Sequence, residues 1–299
     1  MSDSDNMSKI FVSGLSNVET SCAVRQFPID YQPIDYNFFG ITSAASGVGL
    51  NVALALTALG NEVSLTSFVG EDAAGVLVRS AAEMIADRRF VSCTQTPQSV
   101  VLFDENGRRR IYTDLKNTQE LELSESVYSD LDSFDGLCLC NINFSRPLLQ
   151  VAKACGKPLF CDVHCLSDIH DAYNVDFMKY ADVLFLSNEN ILGREESFVK
   201  SLVCEYPCRI FVVGMGARGA LLYDREQDSF TTIPAVTTRP VVNTVGAGDA
   251  LFSAFVHFYV KGNDPIEALS KATVFASYKI GESGASKGFL TENSLSALL

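Results

Sequence analysis

The chain has 299 residues, 47% of them apolar, enough to build a real core in one large α/β domain or two small ones. Charged residues make up only 20%, which argues against bulk disorder. The formal net charge of −13, from 23 basic and 36 acidic residues, argues against nucleic acid or an anionic membrane as the main partner.

Nine Cys are present, an odd number, and no pair has Cys-x-x-Cys spacing. Several sit in apolar runs such as Leu137-Cys-Leu-Cys140, so they are expected to be buried, reduced thiols of a cytoplasmic protein. The opening MSDSDNMSKI is polar and acidic, unlike a signal or transit peptide. No apolar run approaches the roughly 20 residues of a membrane span.

In chain order, Ile10–Val12 is a short strand ending at Ser13-Gly14, and Leu15–Glu19 follows as a loop. Residues 24–41 alternate weakly, carry Pro28 and Pro33, and repeat aromatics at Phe27, Tyr31, Tyr36, Phe38 and Phe39. That pattern predicts a pair of exposed strands, either an ordinary hairpin or a lid over a site. Ser46-Gly-Val-Gly-Leu-Asn51 opens a helix over Val52–Leu59, with Gly60 as its stop. Val63–Phe68 is a strand, and Val69–Gly75 leads into a helix reaching about Ala86. Strand, helix, strand, helix predicts a parallel, doubly wound sheet.

Ser99–Phe103 and Arg109–Thr113 flank Asp104-Glu-Asn-Gly107, a β-hairpin signal. It breaks the alternation, so 95–115 is expected to pair with 24–41 in a small four-stranded sheet. The main domain then takes 1–23, 44–94 and 117–299, and the β lid 24–43 and 95–116. Arg108-Arg-Arg110 reads first as a solvated hairpin end, with a ligand contact as the alternative. Beyond it the alternation resumes: strands at Gly136–Cys140, Pro158–Val163, Val183–Leu186, Arg209–Val213 and Ala220–Tyr223, and helices at Arg146–Cys155, Asp176–Tyr180, Glu195–Cys204 and Asp264–Tyr278. Asp162, Asn188 and the 243–249 turn fall at C-terminal strand ends, the edge where open α/β sheets bind ligands. Asp162 also suits a helix cap, and Asn188 a turn.

Asn243-Thr-Val-Gly-Ala-Gly-Asp249 precedes Ala250–Val260, a helix apolar almost all round and therefore buried. Gly246, Ala247 and Gly248 let backbone N–H groups approach a ligand, and the helix dipole adds positive charge there. Asp249 stands beside that anion cradle, an arrangement suited to moving a phosphoryl group onto a hydroxyl. Other motifs fare worse. Gly214-x-Gly216-x-x-Gly219 follows a strand, but Ala220–Arg225 predicts another strand where a dinucleotide site needs a helix. No P-loop occurs. Cys161, His164 and Cys165 have poor zinc spacing and no second pair. The three His suggest no Ser/His/Asp arrangement.

The 242–250 stretch resembles the C-terminal signature D-T-x-G-A-G-D of the ribokinase-like (PfkB) carbohydrate kinases. Ser46-Gly-Val-Gly-Leu-Asn51…Leu59-Gly60 resembles the family's G-G-x-G-x-N…L-G block, and Val69–Gly75 its V-G-x-D-x-x-G. Phe160–Asp162, Ser187–Asn190 and Val213–Gly219 fall where it carries a strand-end Asp, an N-x-x-E and a T-x-G-x-x-G turn. Six pieces in register span nearly the whole chain.

The resemblance implies a three-layer α/β/α, mostly parallel sheet with a small β lid. It implies transfer of the ATP γ-phosphoryl group to a hydroxymethyl group of a sugar or sugar-like molecule. Asp249 would be the base, and the backbone of Gly246, Ala247 and Gly248 the anion hole. The acceptor would lie among Asn17, Glu19, Ser46, Gly47 and Asn51, under the lid. ATP would lie along Asn188, Gly216, Gly219 and Thr244, with magnesium held largely through water and phosphate; Asp162 and Asn243 are the protein's candidate metal contacts. An acidic chain can still bind ATP, because backbone amides and magnesium supply local positive charge. Partners are small molecules, and the 27–39 aromatics suit a homodimer through the lid or plain lid packing.

Four positions depart from the family pattern. Glu19 replaces the usual Asp, lengthening the arm that reads the acceptor. Ser46 replaces the first Gly of the pair. Ile191 replaces the N-x-x-E acid, with Glu189 close by. Asn243 replaces the leading Asp of the signature and weakens the case for a monovalent cation. The Gly-Val-Gly-x-Asn form of the acceptor block resembles that of pseudouridine kinases, so a nucleoside or pseudouridine acceptor is the alternative within the class. A catalytically silent sugar or nucleotide sensor is the alternative outside it.

Overall fold

Short β-branched runs alternate with longer apolar helical segments, and in the computed structural model they form one large sheet with helices on both faces. The structure describes residues 7–105 and 108–299. The strands are β1 (Lys9–Ser13), β2 (Asn17–Ala23), β3 (Ile41–Ser46), β4 (Glu62–Gly70), β5 (Asp87–Cys93), β6 (Gln98–Phe103) and β7 (Arg109–Asp114). They continue as β8 (Gly136–Leu139), β9 (Leu159–Cys165), β10 (Val183–Ser187), β11 (Ile210–Gly214), β12 (Ala220–Asp224) and β13 (Ser229–Ile233). The helices are α1 (Val48–Ala58), α2 (Ala73–Ala81), α3 (Leu148–Ala154), α4 (Val175–Tyr180), α5 (Glu195–Glu205), α6 (Ala247–Val260), α7 (Pro265–Lys279) and α8 (Glu292–Ser296).

The large sheet runs β13-β12-β11-β10-β9-β8-β1-β4-β5. Its pairings are parallel except those of β12, which is antiparallel to both neighbours. The chain winds outward in both directions from β1, so the β1/β8 seam is the switch point of the sheet. The strands are apolar on both faces because both are covered. Ile10, Val12, Phe185 and Val212 point into one core with α1, α6 and α7. Phe11, Leu184, Leu186 and Phe211 point into the other, with α3, α4 and α5. The all-round apolar α6 is wedged in the first core, where Phe185 meets Phe252 and Phe255 edge-on at 5.2 Å each. This is the expected three-layer α/β/α arrangement.

The small sheet runs β3-β2-β6-β7. The β6–β7 hairpin falls where predicted, although Asn106 and Gly107 of its turn lie outside the described residues, as does the 1–6 part of the polar opening. The other half differs from expectation. No strand pair forms within residues 24–40; β2 starts at Asn17, inside the stretch expected to be a loop, and β3 follows at 41–46. The aromatics between them are surface groups, with Tyr31 89% and Phe38 83% exposed. NVETSCA and ITSAAS lack apolar alternation because their sheet covers a polar seam and has no core of its own. The edge strands β5 (DRRFVSC) and β13 (SFTTI) were also not anticipated: edges carry charged and hydroxyl side chains that blunt the strand signal. No helix among the described residues is long and apolar enough to cross a membrane.

Candidate active site

The turn that opens α6 has its shape dictated by glycine. Gly246, the residue before the helix, adopts φ 77°, and a Cβ there would lie 2.8 Å from the Ala285 carbonyl oxygen. Only glycine meets both demands. Within the turn, Asn243 Oδ1 accepts the Val245 N–H at 2.8 Å, and the Ala247 N–H donates to the Thr244 carbonyl at 3.1 Å. The Ala247 amide is therefore engaged within the turn. At Gly248 a Cβ would meet open space, so the first turn of α6 presents backbone there. Thr244 is exposed beside it.

Asp249, one residue on, meets Asn51 of α1, whose Nδ2 donates to Oδ2 at 2.7 Å across 198 residues of sequence. The contact exists because α1 and α6 pack side by side under the same sheet face. Burial raises the Asp249 carboxyl above its ordinary range. The Asn51 bond, the nearby His164 and the Lys279 ammonium pull the other way, while Asp162 pushes it further up. A carboxylate in that position is a ready proton acceptor.

The small sheet supplies the facing wall. Gly47 caps α1 with φ 104°, and a Cβ there would lie 2.5 Å from the Leu15 carbonyl oxygen. Ser46 is buried and pairs in register with Asn17, whose side chain donates to Ser99 Oγ of β6 at 2.8 Å. The Glu19 carboxyl is also raised, by burial first and by Asp249 second, against the pull of Lys279 and Arg109. Glu19, Asp249, Lys279 and Arg109 thus share one electrostatic neighbourhood. At this seam Ser16 Oγ, Asn17 Oδ1 and Asn51 Oδ1 are buried polar atoms without a partner among the described residues, an unusual concentration for a folded interior.

The remaining candidates lie along the strand ends. In β9 the pairing slips between Asp162 and Cys165, and His164 takes φ 54°. Asp162 Oδ1 accepts the His164 N–H at 2.8 Å, an irregularity that brings both side chains to bear on Asp249. Asn188 is buried and donates to Glu195 Oε1 at 2.9 Å; Glu195 also pairs with Arg218. The Asn188 bond, with Arg218 behind it, holds the Glu195 carboxyl down at about 2. This network ties the end of β10 to α5 and to the β11–β12 turn. In that turn Gly219 is sterically fixed, since a Cβ would lie 2.0 Å from the Ile233 carbonyl oxygen, whereas Gly216 at φ 57° faces open space. The Gly-x-Gly-x-x-Gly segment is the strand–turn–strand expected, not a dinucleotide turn. Ile191 is 0% exposed, a core side chain where the family pattern has an acid.

No group of three His, Cys, Asp or Glu able to hold a metal occurs among the described residues. Asp162 and Asn243 each already use an oxygen on backbone N–H. That fits a metal carried by phosphate and water better than one caged by protein. Two further residues join the site: Arg109, from the cluster whose preferred sequence reading was a solvated hairpin end, and Lys279, which the sequence did not single out. Arg109 of β7 reaches Glu189 Oε1 at 3.4 Å, crossing from the small sheet to the large one. Lys279 ends α7 fully buried and donates to the Val245 carbonyl. In sequence, a lysine at a helix end or an arginine in a basic triplet gives no such signal.

Residues 7–292 match the model of the pfkB family carbohydrate kinases. The chain belongs to that family. A ribokinase of Dictyostelium discoideum is 24% identical over 322 residues, covering 96% of this chain and 98% of its own. The structure of a microbiome-derived acarbose kinase, Mak1, superposes with a TM-score of 0.87 at 25% identity, covering 98% and 99% of the two chains. An Arabidopsis thaliana ribokinase, solved with ribose and ATP, superposes at 0.79 with 20% identity and 98% coverage of both. In this pfkB-family chain the fold is that of the ribokinases, and the seam between the two sheets holds the residues just described.

Proposed function

We propose that this carbohydrate-kinase-family protein transfers the γ-phosphoryl group of ATP to a hydroxymethyl group of a sugar or sugar-like acceptor. The observation that carries this is Asp249: a half-buried carboxylate, raised above its ordinary range, beside backbone donors at the start of a buried helix and bonded to Asn51 at 2.7 Å. Asp249 takes the acceptor hydroxyl proton as that oxygen bonds the γ-phosphorus. The bond to the β,γ-bridging oxygen breaks, and ADP leaves. The amides around Gly246–Gly248, led by Gly248, stabilise the charge on the transferring group. Positioning and electrostatics account for the rate.

The acceptor lies against Glu19, Asn17, Ser46, Gly47 and Asn51, whose unpartnered oxygens suit hydroxyl groups. The small sheet acts as the lid over it. ATP lies beside Thr244 and the open Gly216 turn, with Gly219 and Asn188 shaping that wall. Asp162 and Asn243 are the chain's own candidate contacts to magnesium, which would be carried on the phosphates and would supply charge neutralisation. The ribose and ATP in the Arabidopsis ribokinase and the acarbose substrate named for Mak1 support a sugar acceptor.

A coupled ADP-release screen with magnesium-ATP over sugars and nucleosides tests the reading. We expect turnover on a sugar, reduced by about 10²–10⁴-fold in Asp249→Asn. Turnover confined to nucleosides moves the acceptor class. Tight magnesium-ATP binding with no turnover on any acceptor supports a silent sensor, a reading favoured by the buried Ile191.

A further inference from the structure

One buried charge has no part in the chemistry above. Lys279, the last residue of α7, is 0% exposed. Its ammonium donates to the Val245 carbonyl, inside the turn that opens α6. No carboxylate lies within ion-pair distance of it among the described residues; Asp249 from α6, Glu19 from β2 and Glu282 beyond α7 act on it from further away. An ammonium taken out of water without an ion-pair partner is costly, so a fold that keeps one has a use for it.

The surroundings show what that use is. The N–H groups of Val242 and Asn243 both donate to the Ile280 carbonyl, at 2.8 and 3.0 Å. The Val245 N–H is held by Asn243 Oδ1. The end of α7 and the anion turn are therefore stitched together at residues 279–280, with the Lys279 charge at the centre of the stitch. Burial lowers its pKa to about 8, so the charge is kept at neutral pH.

A monovalent cation beside this turn would need unclaimed oxygens. The Val245 carbonyl is taken by the ammonium, and the residue that would offer a carboxylate is Asn243, its oxygen spent on the backbone. These residues do not fit a bound alkali ion. We propose that Lys279 supplies the fixed monovalent cation of this site, holding the 243–246 turn so that the leading amides of α6 stay aimed, and making the protein indifferent to potassium. Lys279 is a positioning residue. Its link to turnover rests on the phosphoryl-transfer reading; its link to the turn does not.

The test exchanges ions around the full-length protein. Thermal unfolding is followed in potassium chloride, ammonium chloride and choline chloride at equal ionic strength. Wild type should keep its Tm within about 1 °C across the three salts. Lys279→Ala, which opens a space ending at the freed Val245 carbonyl, should melt lower in choline and recover several degrees in potassium or ammonium. Lys279→Met, which fills the space without charge, should show no recovery. It should also lose about 10-fold in kcat, on whichever acceptor the ADP-release screen identifies, with KM for magnesium-ATP little changed.

A wild-type Tm or rate that rises with potassium overturns the proposal. So does an Ala variant that folds and gains nothing from either ion, or a Met variant with wild-type kcat. Should Lys279→Ala fail to fold, the wild-type ion exchange still decides. Should no acceptor be found at all, the phosphoryl-transfer reading falls while the melting curves still judge Lys279.

Discussion

Asp249 is kept where its charge is disfavoured, and that has a sign that can be measured. Its pKa in the folded chain is raised above the ordinary 3.8. In the window between the two values the folded state holds more protons than the unfolded one, so this group's contribution to stability falls as pH rises through it. At neutral pH the buried carboxylate is a net cost. Asp249→Asn, which keeps an oxygen to accept from Asn51, should raise Tm by about 2–4 °C while nearly abolishing turnover. Thermal unfolding and a rate assay on the same preparation check both halves. The acid limb of kcat/KM should likewise sit above the pH at which an ordinary carboxylate titrates, because the base must be ionised to work. Glu19 is raised for the same reason, burial first, with Asp249 adding to it across the seam.

At the scale of the element, two glycines in the opening turn of α6 have opposite duties. Gly246→Ala puts a side chain into the left-handed region and against the Ala285 backbone, and should cost about 2 kcal/mol or more of stability. Gly248→Ala meets open space inside a helix. It should be neutral or up to about 1 kcal/mol stabilising, yet lower kcat by placing a methyl group on the face that presents the amides. Denaturant titration paired with kinetics separates them. The Asn188–Glu195–Arg218 network behaves differently again. Glu195, held down at about 2, contributes stability that is fully present above its ordinary 4.5 and is lost as pH falls toward 2. With Arg218 half exposed and screened, Glu195→Gln should cost about 1–2 kcal/mol at pH 7 and flatten the stability profile between those pH values. Melting curves from pH 7 downward would show it.

Over the whole molecule, function depends on how the small sheet sits against the large one. Arg109 and Glu189 cross that boundary at 3.4 Å with both side chains partly exposed, a pair worth little to folding. Arg109→Ala should leave stability within about 0.5 kcal/mol of wild type but raise KM for the acceptor, with the difference shrinking at high salt. Residues 31–39 expose five large apolar side chains, Tyr31, Ile34, Tyr36, Phe38 and Phe39, just before β3, and exposed apolar groups gathered in one place mark contact surfaces. We expect two copies to meet there, giving a dimer by sedimentation velocity that Phe38→Asp with Phe39→Asp converts to monomer.

The sequence by itself determined the features that local chemistry enforces. Alternating strand and helix runs required a covered parallel sheet, and an apolar α6 required burial. Gly47 and Gly246 marked turns that only glycine can make, and the β6–β7 hairpin was legible from its turn residues. Those signals lie within a few neighbours along the chain. Strands with no core of their own were lost: β2 and β3 cover a polar seam, and β5 and β13 are edges, so neither pair carries an apolar rhythm. Only the tertiary structure decided which side chains share the site. The Asn51–Asp249 bond spans 198 residues, and Arg109 reaches Glu189 from another sheet. Lys279 looked like an ordinary basic end to a helix until α7 was packed against the α6 turn. Burial and electrostatic neighbourhood are properties of packing between distant elements, and no spacing along one element encodes them.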